Sequence, residues 1–510
     1  MAIPDRFNVA DYLVARHVRE GRGDRVALLT DDGTTTYAAL EGLVNRAGNA
    51  LKQLGVLPEQ RVALVLHDGL SFYAGFLGAI LIGAVPVPIN TLLRRADFHY
   101  ILDDAGAVAA IVSGPILDEL LPVDGFADLT HVLVSGAPAG GLPSFEALVA
   151  ASDPALAPAN THRDDPAFWL YSSGSTGRPK GAVHLQHDII CTIDGYARGV
   201  LGMTEEDRCL SAARLFFAYG LGNSLSFPLG VGGQAALVPE RPTPEGMFQA
   251  IQRFRPTIFF AVPTLFAAML QVDQARTRFD LSSLRFCVSA GEALPAEIFA
   301  RWRDRFGLEI IDGIGSTEML HIFLSNRPGS CRPGTSGVEV PGYSARIVGE
   351  DGSVVPRGTV GTLLVSGDSA AAYYWRQHEK TKRTFQGEWV DTGDKYVRDD
   401  EGCYRYCGRS DDMLKVNGLW VSPVEVEHAV MAHPGVLECA VVGASGRDGL
   451  TKPKAFVVLR QEFEASAAIA PEIQAAARAR LPSFKCPSWI EFLPELPKTA
   501  TGKIQRFRLR

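Results

Sequence analysis

The residues best suited to chemistry lie together in the segment Tyr171–Gly181, Tyr-Ser-Ser-Gly-Ser-Thr-Gly-Arg-Pro-Lys-Gly. Glycines and small hydroxyl residues leave many backbone N–H groups free to turn toward one point, and Arg178 and Lys180 add positive charge. This combination is typical of a loop that wraps a polyphosphate. It is not a Walker A loop, because the spacing G-x-x-x-x-G-K-[ST] does not fit here. A solvated Gly/Ser turn is the alternative.

The elements on either side must hold this loop in place. The apolar run Phe168–Leu170 before it predicts a buried strand, and the segment after it has a helix-like pattern. We therefore expect a strand–loop–helix unit. Upstream, Arg61–Leu66, Ala109–Ser113 and His131–Ser135 predict further buried strands, with helical patterns between them. Such alternation predicts a largely parallel sheet covered by helices.

Length and composition limit the classes of function. The chain has 510 residues, 46% of them hydrophobic, which is enough for more than one globular domain. Its net charge of −7, with dispersed basic residues, argues against a nucleic-acid partner. Eight scattered cysteines without a C-x-x-C pair favour reduced thiols. The N-terminus lacks the apolar core of a signal peptide, so we expect a cytoplasmic location.

The stretch Phe72–Ile89 contains no charged residue over nearly the length of a membrane span. However, Gly83 and the prolines in Val85–Ile89 are residues that end a helix early. We therefore expect a buried helix over residues 71–83 and then a short strand, with no contact to a membrane.

Two further glycine-containing segments follow predicted buried strands. The strands Leu284–Ser289 and Glu309–Ile311 run into Ser289–Pro295 and Asp312–Glu318. Ligands bind at the carboxyl ends of parallel strands, so we expect two loops that form a slot for a flat heterocycle. A carboxylate such as Glu318 beside a polyphosphate is repulsive unless a hard cation such as Mg²⁺ bridges them. A lone surface glutamate is the alternative.

The aromatic cluster Leu215–Gly222 is suited to the wall of an apolar pocket, although the residues alone favour plain core packing. The stretch holds no Asp or Glu that would pair with a substrate ammonium, so an amino-acid substrate is disfavoured.

The last third of the chain has a different pattern. Residues 326–410 predict a β-rich region, in which Trp389–Asp394 offers a carboxylate in a tight turn. A polar, charged break at Ser410–Asp412 precedes a small α+β domain over residues 412–510. Its predicted elements are helices at Pro423–His433 and Pro471–Leu481 and strands at Leu437–Val442 and Ala455–Leu459.

Taken together, these segments resemble the acyl-adenylate-forming superfamily, which includes acyl-CoA synthetases, adenylation domains of peptide synthetases and luciferases. The resemblance covers nearly the whole chain and extends to Pro497–Ile504, Pro-Lys-Thr-Ala-Thr-Gly-Lys-Ile, which is similar to the catalytic-lysine motif of the family. The segment Glu318–Phe323, Glu-Met-Leu-His-Ile-Phe, is similar in particular to the benzoate-CoA ligases.

The resemblance implies a fold of the α/β class. A large N-terminal domain, the AMP-binding adenylation domain over residues 1–410, would contain helix-covered, largely parallel sheets plus a β-rich subdomain. A small, mobile α+β lid domain over residues 411–510 would follow it, and Asp411 would be the hinge.

The resemblance also implies which residues bind the nucleotide. The expected phosphate ligands are Ser172, Ser173, Gly174, Ser175, Thr176, Gly177 and Lys180. The expected adenine-binding residues are Ser289, Ala290, Gly291, Glu292, Asp312, Gly313, Ile314, Gly315 and Ser316, and those near the ribose are Asp394, Tyr406 and Arg409. Ile314 stands where the family usually has a tyrosine, so aromatic stacking on adenine is lost at this position.

The remaining roles are implied in the same way. Thr317 would bind phosphate, Glu318 would hold Mg²⁺, and Lys503, otherwise an ordinary surface lysine, would bridge the attacking carboxylate and the α-phosphate. Lys415 would reach the substrate carboxylate, and Gly418 would border the CoA tunnel after the lid rotates. The implied acyl pocket contains Ala218, Tyr219, Gly315, His321 and Ile322, of which Tyr219 and His321 are both candidates to hydrogen-bond the substrate.

These roles predict an ATP-dependent aromatic carboxylate–CoA ligase with ATP, Mg²⁺ and coenzyme A as cofactors. Acyl-AMP and pyrophosphate would form first, and acyl-CoA and AMP would follow. Benzoate or a hydroxy- or halobenzoate fits the implied pocket, and the residues do not separate benzoate from 4-hydroxybenzoate. The alternatives are a medium-chain fatty acid substrate, a non-catalytic nucleotide-binding regulator and a domain that loads a carrier protein. We expect only small-molecule partners, and the oligomeric state stays open, a homodimer included.

Overall fold

The computed structural model describes residues 3–121, 125–136, 139–173, 178–410, 412–416, 419–445, 451–466, 468–498 and 504–509. In chain order, the strands are β1 Val26–Thr30, β2 Gly33–Thr36, β3 Arg61–Val65, β4 Val85–Pro88, β5 Ala107–Ser113, β6 His131–Ser135, β7 Pro166–Ser173, β8 Pro179–Leu185, β9 Arg208–Ser211, β10 Gln234–Ala236, β11 Ile258–Ala261, β12 Phe286–Ser289, β13 Ile310–Gly315, β14 Ile322–Ser325, β15 Val338–Glu339, β16 Ser344–Val348, β17 Gly361–Ser366, β18 Tyr373–Tyr374, β19 Phe385–Gln386, β20 Trp389–Arg398, β21 Tyr404–Arg409, β22 Leu414–Val416, β23 Leu419–Val421, β24 Val436–Ser445, β25 Thr451–Leu459 and β26 Trp489–Phe492.

Helices cover the sheets and connect the strands. They are α1 Val9–Leu13, α2 Ala15–Arg19, α3 Tyr37–Gln53, α4 Leu70–Leu81, α5 Arg95–Ala105, α6 Leu117–Leu120, α7 Phe145–Ala151, α8 Asp188–Thr192, α9 Ala218–Leu221, α10 Phe227–Val231, α11 Pro244–Phe254, α12 Pro263–Met269, α13 Ala275–Arg278, α14 Ala296–Phe306, α15 His378–Thr384, α16 Pro423–Met431 and α17 Ile469–Arg478. Short π-helical turns occupy Ile193–Arg198 and Gly222–Ser226, and 3₁₀ turns occupy Gly114–Ile116, Ser483–Lys485 and Arg506–Arg508.

The first parallel sheet has the strand order β4-β3-β5-β6 and is parallel throughout, as the alternation of strands and helices predicts. Its strands are short apolar runs because both of their faces are buried. The uncharged stretch folds as the buried helix α4 followed by β4, which confirms that prediction. None of the helices in the described part of the chain combines the length and apolar character that a membrane crossing requires.

The second sheet is largely parallel and has the order β15-β14-β13-β12-β11-β9-β10-β1-β2, with antiparallel pairing of β2, β14 and β15 at its two edges. Strand β13 pairs in parallel with β12 through Asp312, and from Gly313 to Gly315 it pairs antiparallel with β14. The expectation that Asp312–Glu318 is entirely a loop was therefore wrong. The apolar segment Ile322–Ser325 returns alongside and provides a ladder partner, so the strand continues and only residues 316–321 connect the two strands.

The phosphate-loop segment connects two strands of a hairpin. Strands β7 and β8 are antiparallel, with Ser172 opposite Lys180 and Ser173 opposite Pro179. The predicted strand–loop–helix unit was wrong, because the seven residues of β8 separate the loop from helix α8. The physical reason is pairing on both edges: β7 covers one edge of β8, and β18 covers the other through Tyr374 opposite Ala182. Pairing with the preceding strand β7 and with the distant strand β18 overrides the helix-like local pattern.

Residues 344–409 form the predicted β-rich region, an antiparallel sheet of β16, β17, β20, β19 and β21. Asp394 does not lie in a tight turn, as expected, but inside the long strand β20. The turn-like residues produce a bulge instead: Gly393 has a φ of +69°, and the register with β17 shifts at this point.

After residue 412, the chain forms separate sheets. Strands β22 and β23 make a hairpin, and β24-β25-β26 make a three-stranded sheet against helices α16 and α17. The buried residues Val426, Val430, Val441, Val457 and Ile473 belong to a core cluster made only of residues from this part of the chain. The predicted α+β character is confirmed.

Helices α3 and α4 pack closely because glycines lie at their crossing. A Cβ added at Gly78 in α4 would lie 2.9 Å from Ala47 Cβ and 2.9 Å from the backbone nitrogen of Gly48, both in α3. A Cβ added at Gly42, also in α3, would meet no atom within 4 Å. The two glycines therefore separate the effect of crowding from that of helix propensity.

We predict that Gly78→Ala is less stable than Gly42→Ala by about 1–3 kcal/mol, the usual cost of overpacking. Both variants gain about 0.5–1 kcal/mol from replacing a helical glycine, so that contribution cancels between them. Denaturant unfolding of both proteins measures the difference. Equal stabilities would show that the helices adjust at no cost, which would contradict close packing at this crossing.

Candidate active site

An ion pair between Lys180 and Glu318 lies beside the phosphate-loop hairpin. The Lys180 Nζ is 2.7 Å from Glu318 Oε1, and the two side chains are only 14% and 15% exposed. The Tyr374 hydroxyl accepts a hydrogen bond from Lys180 Nζ (2.5 Å) and donates one to Glu318 Oε1 (2.7 Å). The structure thus brings together two residues that the sequence singled out, and it adds Tyr374, which the sequence did not indicate.

The charge of Glu318 depends on these two neighbours. Burial acts to raise the pKa of Glu318, but the Lys180 charge and the hydrogen bonds from Lys180 and Tyr374 outweigh burial and lower that pKa to about 2. Burial and the Glu318 charge raise the pKa of Tyr374 well above its usual range, so its hydroxyl keeps its proton. Glu318 is therefore an ionised carboxylate at neutral pH.

An ionised carboxylate at this position suits Mg²⁺, which proteins bind through one or two carboxylates together with substrate phosphates. Among the residues that the structure describes, no cluster of three or more His, Cys, Asp or Glu side chains forms a complete metal cage. The donor set around Glu318 therefore fits a magnesium ion that is shared with a phosphate ligand.

The segment that carries Thr317 and Glu318 has no regular secondary structure of its own. Contacts from residues 369–371 hold it: the Glu318 carbonyl accepts from the Ala371 N–H (2.7 Å), and the Met319 carbonyl accepts from the Ser369 hydroxyl (2.8 Å). Within the segment, the Met319 N–H donates to the Ser316 hydroxyl (3.2 Å). The backbone on which Glu318 sits is therefore fixed from outside.

Several predicted site residues lie outside the described part of the chain. Of the phosphate loop, the structure describes Ser172, the backbone of Ser173 and the residues from Arg178 onward. The side chain of Lys415 is likewise not described. The predicted residues outside the described ranges are Gly174, Ser175, Thr176, Gly177, Asp411, Gly418 and Lys503.

The predicted adenine slot lies where β12 and β13 run side by side, and Ser289 stands opposite Asp312 in their parallel register. Both residues are buried. Burial raises the pKa of Asp312 well above its usual range, against a smaller lowering from the Leu294 N–H, the Ser289 hydroxyl and the Gly313 N–H. The remaining residues of this slot are the buried Ala290, Gly291 with a φ of +90°, and the half-buried Glu292, Ile314, Gly315 and Ser316.

The residues predicted near the ribose also meet. Asp394 and Arg409 are opposite each other in β20 and β21, and Arg409 Nη1 is 2.9 Å from Asp394 Oδ1. Arg409 also donates to the Thr392 carbonyl (2.8 Å). Tyr406 packs against the ring of Tyr396 at a centroid distance of 5.5 Å, on the same pair of strands.

The predicted acyl pocket is centred on His321. Its ring lies among Tyr196, Tyr219 and Phe227, at centroid distances of 5.3, 5.5 and 4.4 Å. Burial lowers the pKa of His321 to about 3, against a smaller raising by the Tyr219 backbone, so the ring is neutral at pH 7. A Cβ at Gly222 would lie 2.3 Å from His321 Cδ2, so only glycine leaves room for the ring at this position.

A polar side chain that the sequence did not indicate contacts this ring. His321 Nε2 lies 3.1 Å from Asn223 Oδ1, and the Asn223 amide donates to the Ser211 hydroxyl (3.3 Å). Asn223 is fully buried within a π-helical turn, a feature that often marks functional sites. The signal in the sequence was an amide residue directly after the aromatic, glycine-containing stretch Leu215–Gly222.

The structure narrows the hydrogen bonds that Tyr219 can make. Its hydroxyl is 3.1 Å from the Val288 carbonyl and 3.3 Å from the Ala261 carbonyl, at the ends of β12 and β11. Carbonyl oxygens only accept, so the single hydroxyl proton of Tyr219 is used by the backbone. Tyr219 can therefore offer the pocket its ring and a hydroxyl oxygen that accepts, but no donor. Ala218 and Ile322 are buried beside them, and Ile322 pairs with Gly315 across the β13–β14 ladder.

Comparison with known proteins identifies the family. The sequence profile described as AMP-binding enzyme matches residues 14–375, and the profile of its C-terminal domain matches residues 425–503. The chain belongs to the AMP-binding enzyme family.

This AMP-binding enzyme is 51% identical over 511 residues to the benzoate–CoA ligase of Thauera aromatica, covering 100% of this chain and 96% of that protein. It is 46% identical over 511 residues to the 4-hydroxybenzoate–CoA/benzoate–CoA ligase of Rhodopseudomonas palustris, covering 99% and 94%. Among solved structures, it is similar to an anthranilate CoA ligase in complex with anthranoyl-AMP, with a TM-score of 0.96, 44% identity and coverage of 100% and 97%. The resemblance and the fold class expected from the sequence are confirmed.

We predict that Lys180→Met lowers the free energy of unfolding at pH 7 by about 3 kcal/mol, at about 1.4 kcal/mol per pKa unit. The folded-state pKa of Glu318, about 2, lies below its ordinary value of 4.5. Its contribution to stability is therefore complete above about pH 4.5 and is lost as the pH falls toward 2. Denaturant unfolding of both proteins across this range measures the difference.

The double variant Lys180→Met/Glu318→Gln is the matched control, because it removes the titrating carboxyl together with its partner. Because the double variant has no carboxyl to titrate at this position, its own stability should lack the acid-dependent loss that Glu318 causes in the wild type, and its difference from the wild type should narrow as the pH falls toward 2. A difference between Lys180→Met and the wild type that stays constant from pH 7 to pH 3 would mean that lost packing, and not charge, causes the destabilisation.

Proposed function

We propose that this protein is an AMP-forming ligase that joins an aromatic carboxylate, benzoate or a hydroxybenzoate, to coenzyme A. The observation that carries the proposal is the ionised Glu318, held by Lys180 and Tyr374, on the same short segment as the neutral, ring-enclosed His321. A charged phosphate site and an apolar pocket for a flat acid are thus a few residues apart. The relatives named benzoate–CoA and 4-hydroxybenzoate–CoA/benzoate–CoA ligase support the same substrate class.

The chemistry requires two steps because a carboxylate oxygen is a poor leaving group. In the first step, the carboxylate oxygen attacks the α-phosphorus of ATP, the bond to the β-phosphate breaks, and pyrophosphate leaves with the electron pair. In the second step, the CoA sulfur attacks the acyl carbon, the bond to AMP breaks, and the thiol proton is lost to solvent. Both steps bring negative groups together, so catalysis depends on positioning and on positive charge.

The residues of the site have the properties these steps need. Lys180 supplies an ammonium that can turn from Glu318 to the phosphates, and the backbone around Ser172 and Ser173 leads into the loop that would cradle them. Mg²⁺, when bound at Glu318, would neutralise charge on the phosphate oxygens. Asp394 and Arg409 would hold the ribose. In the buried slot, Asp312 would accept a hydrogen bond from the amino group of adenine.

The pocket favours a flat, neutral ring. Aromatic rings surround His321, and the stretch Leu215–Gly222 holds no Asp or Glu. His321 Nε2 donates to Asn223 Oδ1 and the ring is neutral, so its Nδ1 can only accept, and we assign His321 to accept a hydrogen bond from a donor on the substrate ring, such as a hydroxyl. An aromatic substrate would gain about 0.5–1.5 kcal/mol for each ring it packs against, in addition to the energy gained by burying its apolar surface.

We also propose the division into domains. Residues 1–410 would be the AMP-binding adenylation domain and residues 411–510 the lid, with the hinge at Asp411. The separate core of the C-terminal part and the break between the two profile matches support this boundary. After rotation, the side of the lid with Lys415 and Gly418 would face the site. A cytoplasmic location, where ATP and CoA are available, completes the proposal.

Pyrophosphate release with MgATP and CoA across a panel of carboxylates tests this function. The panel contains benzoate, 4-hydroxybenzoate, 2-aminobenzoate, cyclohexanecarboxylate and octanoate. We expect the benzoates to react fastest, and cyclohexanecarboxylate, a ring of similar size without aromatic faces, to react more slowly. Octanoate reacting faster than every benzoate would contradict the aromatic pocket.

We predict that Lys503→Ala lowers acyl-AMP formation by roughly 10²–10³, the usual effect of removing one transition-state charge partner. Conversion of supplied benzoyl-AMP and CoA to the thioester should persist, because that step breaks no α–β phosphate bond. Pyrophosphate release and thioester formation measure the two half-reactions separately.

Lys498→Ala is the matched control, since this lysine of the same segment is paired with Glu438 at 2.6 Å. We expect it to leave both half-reactions unchanged. Equal losses of the two half-reactions in Lys503→Ala would contradict the role that we assign to Lys503.

A further inference from the structure

Residues 316–321, which carry Thr317 and Glu318 and are here called the catalytic segment, contact strand β8 at two points. Lys180 and His184 lie four residues apart on this strand, so their side chains are on the same face. Lys180 pairs with Glu318, and His184 Nε2 lies 2.8 Å from the Thr317 carbonyl oxygen. One strand thus contacts two successive residues of the segment: the side chain of Glu318 and the backbone carbonyl of Thr317.

The chemistry of the partners fixes the direction of the second contact. A carbonyl oxygen only accepts, so His184 Nε2 carries a proton and donates it to Thr317. The other ring nitrogen, Nδ1, lies 2.7 Å from Asp188 Oδ2, and the side chains of His184 and Asp188 are completely buried. Asp188 Oδ2 also accepts from the Leu185 N–H (3.1 Å). A proton is therefore shared between Nδ1 and the carboxylate, and the ring has a hydrogen bond at each end.

The ring is also fixed by packing. His184 stacks on Phe168 of β7, at a centroid distance of 5.2 Å and an interplanar angle of 17°. A second histidine, His187, reaches the far oxygen of Asp188, with 3.3 Å between Nε2 and Oδ1. Asp188 is thus the centre of a buried polar cluster, and His184 is the member of that cluster that contacts the catalytic segment.

The contact between His184 and Thr317 is important because residues 316–321 are not paired with any strand. The Thr317 carbonyl also accepts from the Leu320 N–H at 3.2 Å, but Leu320 belongs to the same connection and cannot fix it relative to the hairpin. The neighbouring carbonyls of Glu318 and Met319 are held by Ala371 and Ser369 from another side. Beside the Lys180–Glu318 pair, His184 therefore supplies a second contact, to the backbone, between the phosphate-loop hairpin and the residues predicted to bind phosphate and metal.

We propose that His184, oriented by Asp188, is a positioning residue that holds Thr317 and Glu318 in register with the phosphate loop, and so determines how MgATP binds for adenylation. It touches neither substrate nor metal itself. The inference rests on the proposed function for its role in turnover, while its effect on nucleotide binding is independent of the acyl substrate.

The test compares His184→Leu with His184→Gln, whose side-chain N–H can still donate to the Thr317 carbonyl. The control is His99→Leu, which removes a bond of the same kind, from Nε2 to the Leu120 carbonyl at 2.9 Å, away from the site. Calorimetric MgATP binding, pyrophosphate release at varied ATP, and thioester formation from supplied benzoyl-AMP are measured for each. Melting temperatures report on folding.

For His184→Leu, we expect kcat/KM for ATP in adenylation to fall by about 10²-fold, the usual effect of misplacing a site by about 1 Å. MgATP binding should weaken, and conversion of benzoyl-AMP should stay near the wild-type rate because it uses neither pyrophosphate contacts nor the metal at Glu318. His184→Gln should recover most of the loss, and His99→Leu should resemble the wild type.

Three results would overturn the inference. The first is unchanged MgATP binding and adenylation in His184→Leu, and the second is equal losses of both half-reactions with a matching fall in melting temperature. The third is a glutamine variant as impaired as the leucine variant. Failure of the proposed function is distinguishable, because it would appear in the wild type as a lack of pyrophosphate release, while MgATP binding by the variants would still decide this inference.

Discussion

The structure of the site depends on one constraint: a carboxylate must stay ionised beside a place where polyphosphate is to bind. Lys180 and Tyr374 satisfy it by meeting Glu318 from two strands of one sheet, β8 and β18. Buried ion pairs contribute little net stability, because desolvation offsets attraction. We therefore infer that the main role of the pair is to position charged groups for ligands: the Glu318 carboxylate for a metal ion and the Lys180 ammonium for phosphates.

Strand β13 pairs first with β12 and then with β14, and the residues assigned to the other ligands lie along this strand and just after it. Asp312 is in the parallel part of the sheet, and Gly313–Gly315 are in the antiparallel part. The connection to β14 carries Thr317 and Glu318, and His321 follows just before β14. Residues assigned to adenine, phosphate, metal and acyl group therefore follow one another along a single stretch of chain. This order explains how one short segment can align both reacting groups.

Much of the site could be predicted from the sequence, and the failures have physical causes. The buried parallel strands were recognised because they are continuous apolar runs, and the phosphate-binding role of Tyr171–Gly181 stays a prediction from composition. Strand β8 was missed because its local pattern is helix-like and one of its two partners, β18, is distant in sequence. Asp394 was assigned to a turn because a bulge and a turn use the same residues. Other features depend on contacts between residues far apart in the chain, which no local pattern encodes. They are the hydrogen bonds from the Tyr219 hydroxyl to the backbone, between Lys180 and Tyr374, and from His184 to Thr317.

The most direct test of the central claim, that Glu318 is the carboxylate that holds the metal ion beside the phosphates of ATP, is anomalous diffraction from crystals grown with ATP and Mn²⁺. The predicted result is an anomalous peak about 2.1 Å from a Glu318 carboxylate oxygen, the usual distance for such a hard cation, with Lys180 turned to the phosphates. A peak bound only by phosphate oxygens, with the Lys180–Glu318 pair intact, would contradict it.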